Sequence, residues 1–100
     1  MRVRVYFCKE PEAEILLMSN KISRQALDTI YDLVWESELK NILNVGRVWL
    51  KFKQEIKPFG ISLKDVKRNH ERISAGDIIG LGNDFYMVNK IGVRRIKVVD

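Results

Sequence analysis

The sequence predicts an α+β domain, with a mostly antiparallel sheet of about five or six strands, one main amphipathic helix and a short second helix. Segments of strand-like alternation lie at both ends of the chain, and the clearest helical periodicity lies between them. With 100 residues, 46% of them hydrophobic, the chain is long enough for one core. No linker, repeat or low-complexity segment divides it, so we expect a single domain over residues 1–100.

The first element is predicted to be a strand. Val3, Val5 and Phe7 alternate with polar neighbours, a period of two that is typical of a half-buried strand. Pro11 predicts a turn after it, because proline lacks the N–H that a ladder needs. Residues 14–18 are interpreted as a return strand.

The main helix is predicted over about residues 24–39. Ser23 is placed to cap it, and Ile22 and Leu27 have the spacing of a hydrophobic staple. If the helix extends to about residue 44, Gly46 is the residue that terminates it. The apolar residues of the helix form one broad stripe, at Ala26, Leu27, Ile30, Tyr31 and Val34.

The middle of the chain is predicted to hold a strand and a short helix. Over residues 48–53 a strand is favoured over a helix, because it would place Val48, Leu50 and Phe52 on one side. Ser62 and Asp65 then indicate the start of a short helix that runs to about residue 69.

Three strands are predicted to close the chain, at about residues 77–81, 84–89 and 93–99. Gly82 and Asn83 separate the first two and readily adopt the positive φ of a tight turn. Gly92 marks the second turn. An antiparallel meander is therefore expected.

The composition favours a protein of the cytoplasm that does not enter a membrane. No apolar stretch approaches the length of about 18 residues that a spanning helix needs. The apolar residues at the start alternate with charge and stop too early for a signal peptide. Cys8 is the single cysteine, so it has no partner within the chain for a disulfide.

Few residues point to catalysis, and we expect no enzyme, cofactor or metal site. His70, the one histidine, is interpreted as an exposed side chain in a basic loop, and Cys8 as a small buried hydrophobe. One His and one Cys do not complete a usual zinc site. The carboxylates at Glu10, Glu12 and Glu14 fit a solvated strand edge better than a calcium loop.

The charge of +5 is unevenly distributed. Residues 47–72 hold eight Lys or Arg against three Asp or Glu, whereas acids outnumber bases over residues 9–46. Such an asymmetry can steer an anionic partner, and an exposed indole can stack on a base or anchor a protein interface. The candidate partner-binding residues are Arg47, Trp49, Lys51, Lys53, Lys64, Lys67, Arg68 and Arg72.

The C-terminal quarter of the chain resembles a family of small plasmid- and phage-encoded proteins, the YodL-like proteins. The shared pattern is S-x-G-D-[VI]-[VI], a tight turn and Y-x-V, here carried by residues 74–79 and 86–88. The resemblance implies an origin in a mobile element and no particular chemistry. Small accessory proteins of this kind often bind and modulate a host machine, including a defence system.

Three hypotheses follow about function. The first is a non-enzymatic accessory or inhibitor that binds a host protein or nucleoprotein complex, in an oligomeric state that the sequence leaves open. The second is a nucleic-acid-binding domain that uses the basic segment 47–72. The third is a small toxin-type ribonuclease, for which the candidate groups are His70, Arg68 and Tyr86.

Overall fold

A computed structural model describes residues 1–9, 20–40, 44–66, 68, 70 and 72–100. In these residues the chain forms one six-stranded sheet and two helices, which confirms the predicted α+β class. The elements are β1 (Arg2–Cys8), β2 (Lys21–Ser23), α1 (Arg24–Ile30), β3 (Tyr31–Glu38), α2 (Val45–Gln54), a 3-10 turn (Pro58–Gly60), β4 (Ile78–Leu81), β5 (Asp84–Asn89) and β6 (Gly92–Val99).

The strands are ordered β2-β6-β5-β4-β1-β3, so β2 and β3 lie at opposite edges of the sheet. Strands β4, β5 and β6 form the predicted antiparallel meander. Gly82 has a φ of 59°, in the left-handed region that glycine adopts without steric cost, and it turns the chain between β4 and β5. The short strand β2 is the exception to antiparallel pairing, because it runs parallel to β6.

Each face of the sheet carries its own apolar cluster. The alternation predicted for β1 is confirmed, since Val3, Val5 and Phe7 are buried on the face that α2 covers. Trp35 from β3 belongs to the same cluster. The opposite face packs a smaller cluster against α1, in which Leu27 is the buried residue of the helix.

The predicted main helix is correct at its start and wrong in its length. Ser23 caps it as expected, because its hydroxyl accepts a hydrogen bond of 3.0 Å from the backbone N–H of Ala26. The helix ends at Ile30, and residues 31–38 form β3 instead. The segment pairs along the length of β1, with a β-bulge that places Tyr31 on the α1 face and Trp35 on the α2 face, and this pairing overrides the helical pattern.

The strand predicted over residues 48–53 is wrong, because this segment lies in α2. Asn44 caps the helix by accepting a hydrogen bond of 2.9 Å from the N–H of Arg47. Val48 and Phe52, four residues apart, share the buried side, whereas Leu50 is 46% exposed. Gly46, predicted to end a helix, lies in the first turn of this one.

The short helix predicted from Ser62 is also wrong over its described residues. The chain is not helical over residues 61–66. The N–H of Lys64 instead donates to the carbonyl of Val34, with N and O 2.7 Å apart, and so ties this segment to the edge strand β3. The predicted return strand over residues 14–18 lies outside the described residues.

Candidate functional sites

Helix α2 carries the first half of the candidate partner-binding residues. Its ten residues include three cations and no acid. In a strand, Arg47, Trp49, Lys51 and Lys53 would share one side, but a helix advances by about 100° per residue. The helix therefore separates them into two pairs, Arg47 with Lys51 and Trp49 with Lys53, on either side of the exposed Leu50.

One contact lies within a pair, and another joins Lys51 of the second pair to Glu55. The ammonium nitrogen of Lys53 lies 4.9 Å from the centre of the Trp49 ring, within the range of a cation–π contact. Trp49 itself is only partly buried and packs against the rim of the core. On the other flank, the ammonium nitrogen of Lys51 lies 3.2 Å from a carboxylate oxygen of Glu55. The outer surface of α2 thus presents an aliphatic side chain between two basic flanks.

The remaining candidate residues lie in the segment that follows. Lys64 and Arg72 are exposed. The guanidinium of Arg68 donates to the backbone carbonyls of Lys64 and Val66, so part of its hydrogen-bonding capacity holds the loop together. Lys67 lies outside the described residues.

His70 is not the exposed loop side chain that we predicted. Its Nε2 lies 2.8 Å from a carboxylate oxygen of Asp77, and its ring stacks on Phe7 with the centroids 4.3 Å apart. The carboxylate of Asp77 also accepts hydrogen bonds of 2.8 Å from the backbone N–H groups of Cys8 and Ser74. His70 therefore lies at a junction between its own segment, Asp77 and the end of β1. The sequence around His70 gives no sign of this long-range contact.

The central group of this junction is the buried, hydrogen-bonded carboxylate of Asp77. Asp77 is 1% exposed, and two backbone donors and one imidazole surround it. An imidazole oriented by a carboxylate is one part of many proton-transfer sites. Of the other groups named for a ribonuclease, Tyr86 packs at the edge of the α2-side cluster, and Arg68 binds loop carbonyls.

Tyr31 and Cys8 lie beside the junction, on the face of the sheet that α1 covers. The hydroxyl of Tyr31 donates to the carbonyl of Gly76 over 2.6 Å. Burial, and then the neighbouring Cys8 and Asp77, raise the pKa of Tyr31 well above its ordinary value. Cys8 is 4% exposed within the apolar cluster, as its interpretation as a small buried hydrophobe predicts.

A groove that the sequence analysis missed lies at the opposite end of the sheet from β3. It has a volume of about 730 Å³ and is formed by β2, the second half of β6 and the turn between β4 and β5. A sequence signal was present, since Arg95 and Lys97 alternate around Ile96 in the last predicted strand. The polar residues that line the groove are Asn20, Lys21, Arg24, Asn83, Asp84, Arg95 and Lys97.

Within the described part of the chain, no His, Cys, Asp and Glu side chains gather in a group of three or more that could hold a metal ion. The run of Glu10, Glu12 and Glu14 lies outside that part. Among the described residues, no helix has the length and apolar character needed to cross a membrane.

Comparison with protein-family models, curated proteins and solved structures gives no significant match to this chain.

Proposed function

We propose that the protein is a non-enzymatic binding protein that docks on an acidic surface of a partner protein through α2. The observation that carries this proposal is the outer face of the helix, where Leu50 is 46% exposed between cationic flanks. An apolar centre inside a polar rim is typical of protein interfaces, in which Trp and Arg are frequent anchors.

The charge of α2 makes an acidic partner the best fit. The helix contains three cations, Arg47, Lys51 and Lys53, and no acid. Glu55, which follows the helix, forms an ion pair with Lys51. Complementary charge would speed the encounter, and Leu50 with Trp49 would supply the apolar contact that desolvates the centre. The wider basic segment, including Lys64 and Arg72, would add to the steering.

The biological setting that we propose rests on the YodL-like resemblance in the last quarter of the chain. A phage- or plasmid-encoded accessory protein that acts in the host cytoplasm would meet a host machine there. The partner would then be a host protein or nucleoprotein complex, such as a component of a defence system. Binding alone would modulate that machine, and this chain would catalyse no reaction.

A pull-down with a matched pair of variants tests the proposal. Leu50→Asp places a carboxylate at the centre of the α2 surface, and Ile91→Asp makes the same kind of change at a side chain that is 91% exposed in the β5–β6 turn. The wild type and Ile91→Asp should recover the same stoichiometric partner from a host lysate, and Leu50→Asp should lose it. Recovery of no partner, or equal recovery by both variants, would contradict the proposal.

A ribonuclease is the enzymatic alternative, and the pairing of His70 with Asp77 is the observation that favours it. If it is correct, His70→Gln abolishes RNA cleavage and growth arrest on overexpression. Normal growth with the wild-type protein and intact RNA after incubation with it would dismiss this alternative.

A further inference from the structure

We propose that the groove formed by β2, β6 and the β4–β5 turn binds an extended segment of a partner protein, which adds a short strand to β6. The groove is a different part of the molecule from the α2 surface, and its ligand need not be acidic. Two observations carry the proposal: the hydrogen-bonding pattern of β6, and the difference between the two faces of the sheet at the groove.

Strand β6 changes its hydrogen-bonding partner along its length. Its pairing with β5 ends at Phe85 and Ile96, and its pairing with β2 begins one residue later, at Lys97. Strand β5 does not extend further in that direction, because the chain turns at Gly82 to join β4. Among the described residues, no strand therefore lies on the β5 side of residues 97–99.

The backbone of Val98 faces the groove. In a ladder, the N–H and C=O groups of successive residues point to opposite sides of the strand. The N–H of Lys97 donates to the carbonyl of Asn20, with N and O 2.9 Å apart, and so points towards β2. The N–H and C=O of Val98 consequently point the other way, into the groove that Val98 lines. Both groups are placed to bond to an added strand, as those of an exposed sheet edge are.

The groove has room for a peptide in extended conformation. Its volume is about 730 Å³, and residues 95–99 of β6 all line it. A run of that length in a strand spans about 16 Å. An extended polypeptide supplies N–H and C=O groups at the same spacing as β6, so it is the ligand that the backbone of the groove fits best.

The two faces of the sheet differ at the groove, and this difference predicts the side chains of the ligand. Ile96 is buried in the α1-side cluster, and Phe85 and Val98 pack against it. Directly opposite residues of a ladder point to the same face, so the ligand residue that pairs with Val98 would lie beside Val98 and Phe85. Its two neighbours would point to the other face, where Lys97 and Val99 are exposed. The predicted ligand therefore has an aliphatic residue between two polar ones.

Amide hydrogen exchange, measured by NMR, tests the backbone arrangement without a ligand. In the free protein, the N–H of Val98 should exchange on the order of tenfold faster than the bonded N–H of Lys97. Slow exchange at Val98 would overturn the proposal, because its N–H would already have an acceptor.

A displayed library of random octapeptides then supplies the ligand. The selected peptides should share the polar–aliphatic–polar pattern, and a synthetic copy should slow the exchange of the Val98 N–H. Val98→Pro removes that N–H and should weaken the peptide roughly fivefold or more. Val98→Ile is the matched control, since it keeps the N–H and a β-branched side chain, and it should leave the affinity within about twofold of wild type.

Val98→Pro should keep a melting temperature near that of wild type, because the N–H that it removes lies outside the ladder with β2. If this variant does not fold, protection of the Val98 N–H by the peptide decides the question. Selection of no peptide, equal affinities of Val98→Pro and Val98→Ile, or no protection of Val98 would overturn the proposal. So would peptides that Leu50→Asp no longer binds, since they would belong to the α2 surface. The pull-down decides the α2 proposal separately.

Discussion

The two faces of the sheet are covered to different extents. On one face, α2 and the segment after it lie over a continuous cluster in which Trp35, Val48 and Phe52 are almost fully buried. On the other, α1 has seven residues and covers only part of the strands. Beyond it, Glu36 lies between the guanidinium groups of Arg2 and Arg4, with each N–O distance 2.7 Å.

This difference predicts where substitutions cost the most stability. The face under α2 supplies most of the large buried side chains, so we expect mutations there to cost the most. The face under α1 leaves room for charged side chains, and the groove opens at the edge next to it. Because α1 is short, strand surface on this face remains open to solvent.

The largest expected effect comes from Trp35→Ala. Trp35 is fully buried, meets Phe52 edge-on with the ring centres 5.1 Å apart and donates from its indole N–H to the carbonyl of Ile61. The free energy of unfolding should fall by about 3–5 kcal/mol, as measured by urea denaturation. Leu27→Ala, the matching change under α1, should cost about 2 kcal/mol. Equal losses of stability, or a larger loss for Leu27→Ala, would contradict the predicted difference between the two faces.

The next effect concerns Asp77, which holds the end of β1 to the turn before β4. Asp77→Ala leaves the backbone N–H groups of Cys8 and Ser74 without their acceptor, and the free energy of unfolding should fall by about 3 kcal/mol. Asp84→Asn removes an exposed ion pair with Arg95 and should cost less than about 1 kcal/mol. Equal losses from the two variants would mean that the Asp77 carboxylate does not anchor β1 to the turn before β4.

These contacts also show how far the sequence could predict the structure. Patterns within one segment were sufficient for β1, for the C-terminal meander and for the Ser23 cap, because alternation, turn glycines and cap spacing are local properties. Residues 31–35 have a helical pattern, and the strand that they form is selected by pairing with β1, which is distant in the sequence. The same holds at residues 48–53, where burial against the sheet selected the helix.

The candidate sites were predictable to a smaller extent. Composition identified the basic residues of α2. Their division into two flanks depends on the helix, whereas the sequence pattern predicted a strand over residues 48–53. The bond between His70 and Asp77 joins residues seven positions apart through a turn around a buried carboxylate, which no periodicity indicates. The groove combines residues from both ends of the chain, and it required the parallel pairing of β2 with β6.

A smaller effect is expected from the hydroxyl of Tyr31, which donates to the carbonyl of Gly76. Tyr31→Phe should lower the free energy of unfolding by about 1 kcal/mol at neutral pH. Because burial raises the pKa of Tyr31, the folded protein disfavours its phenolate, and the wild type should lose stability as the pH rises above the ordinary tyrosine value of 10.0. Tyr31→Phe should lose less over that range. Identical alkaline profiles would contradict this.

The smallest effect tests the open part of the sheet, where Arg4 and Arg2 hold the pKa of Glu36 below its ordinary value of 4.5. A carboxyl whose pKa is lowered by folding contributes stability above the unfolded value, and loses it as the pH falls through the folded one. Glu36→Gln should therefore cost up to about 1 kcal/mol at pH near 7, since all three side chains are partly exposed. That difference from the wild type should shrink below pH 4.5, whereas the difference for Trp35→Ala should not. An unchanged difference for Glu36→Gln in acid would mean that packing, and not charge, holds this half of the sheet.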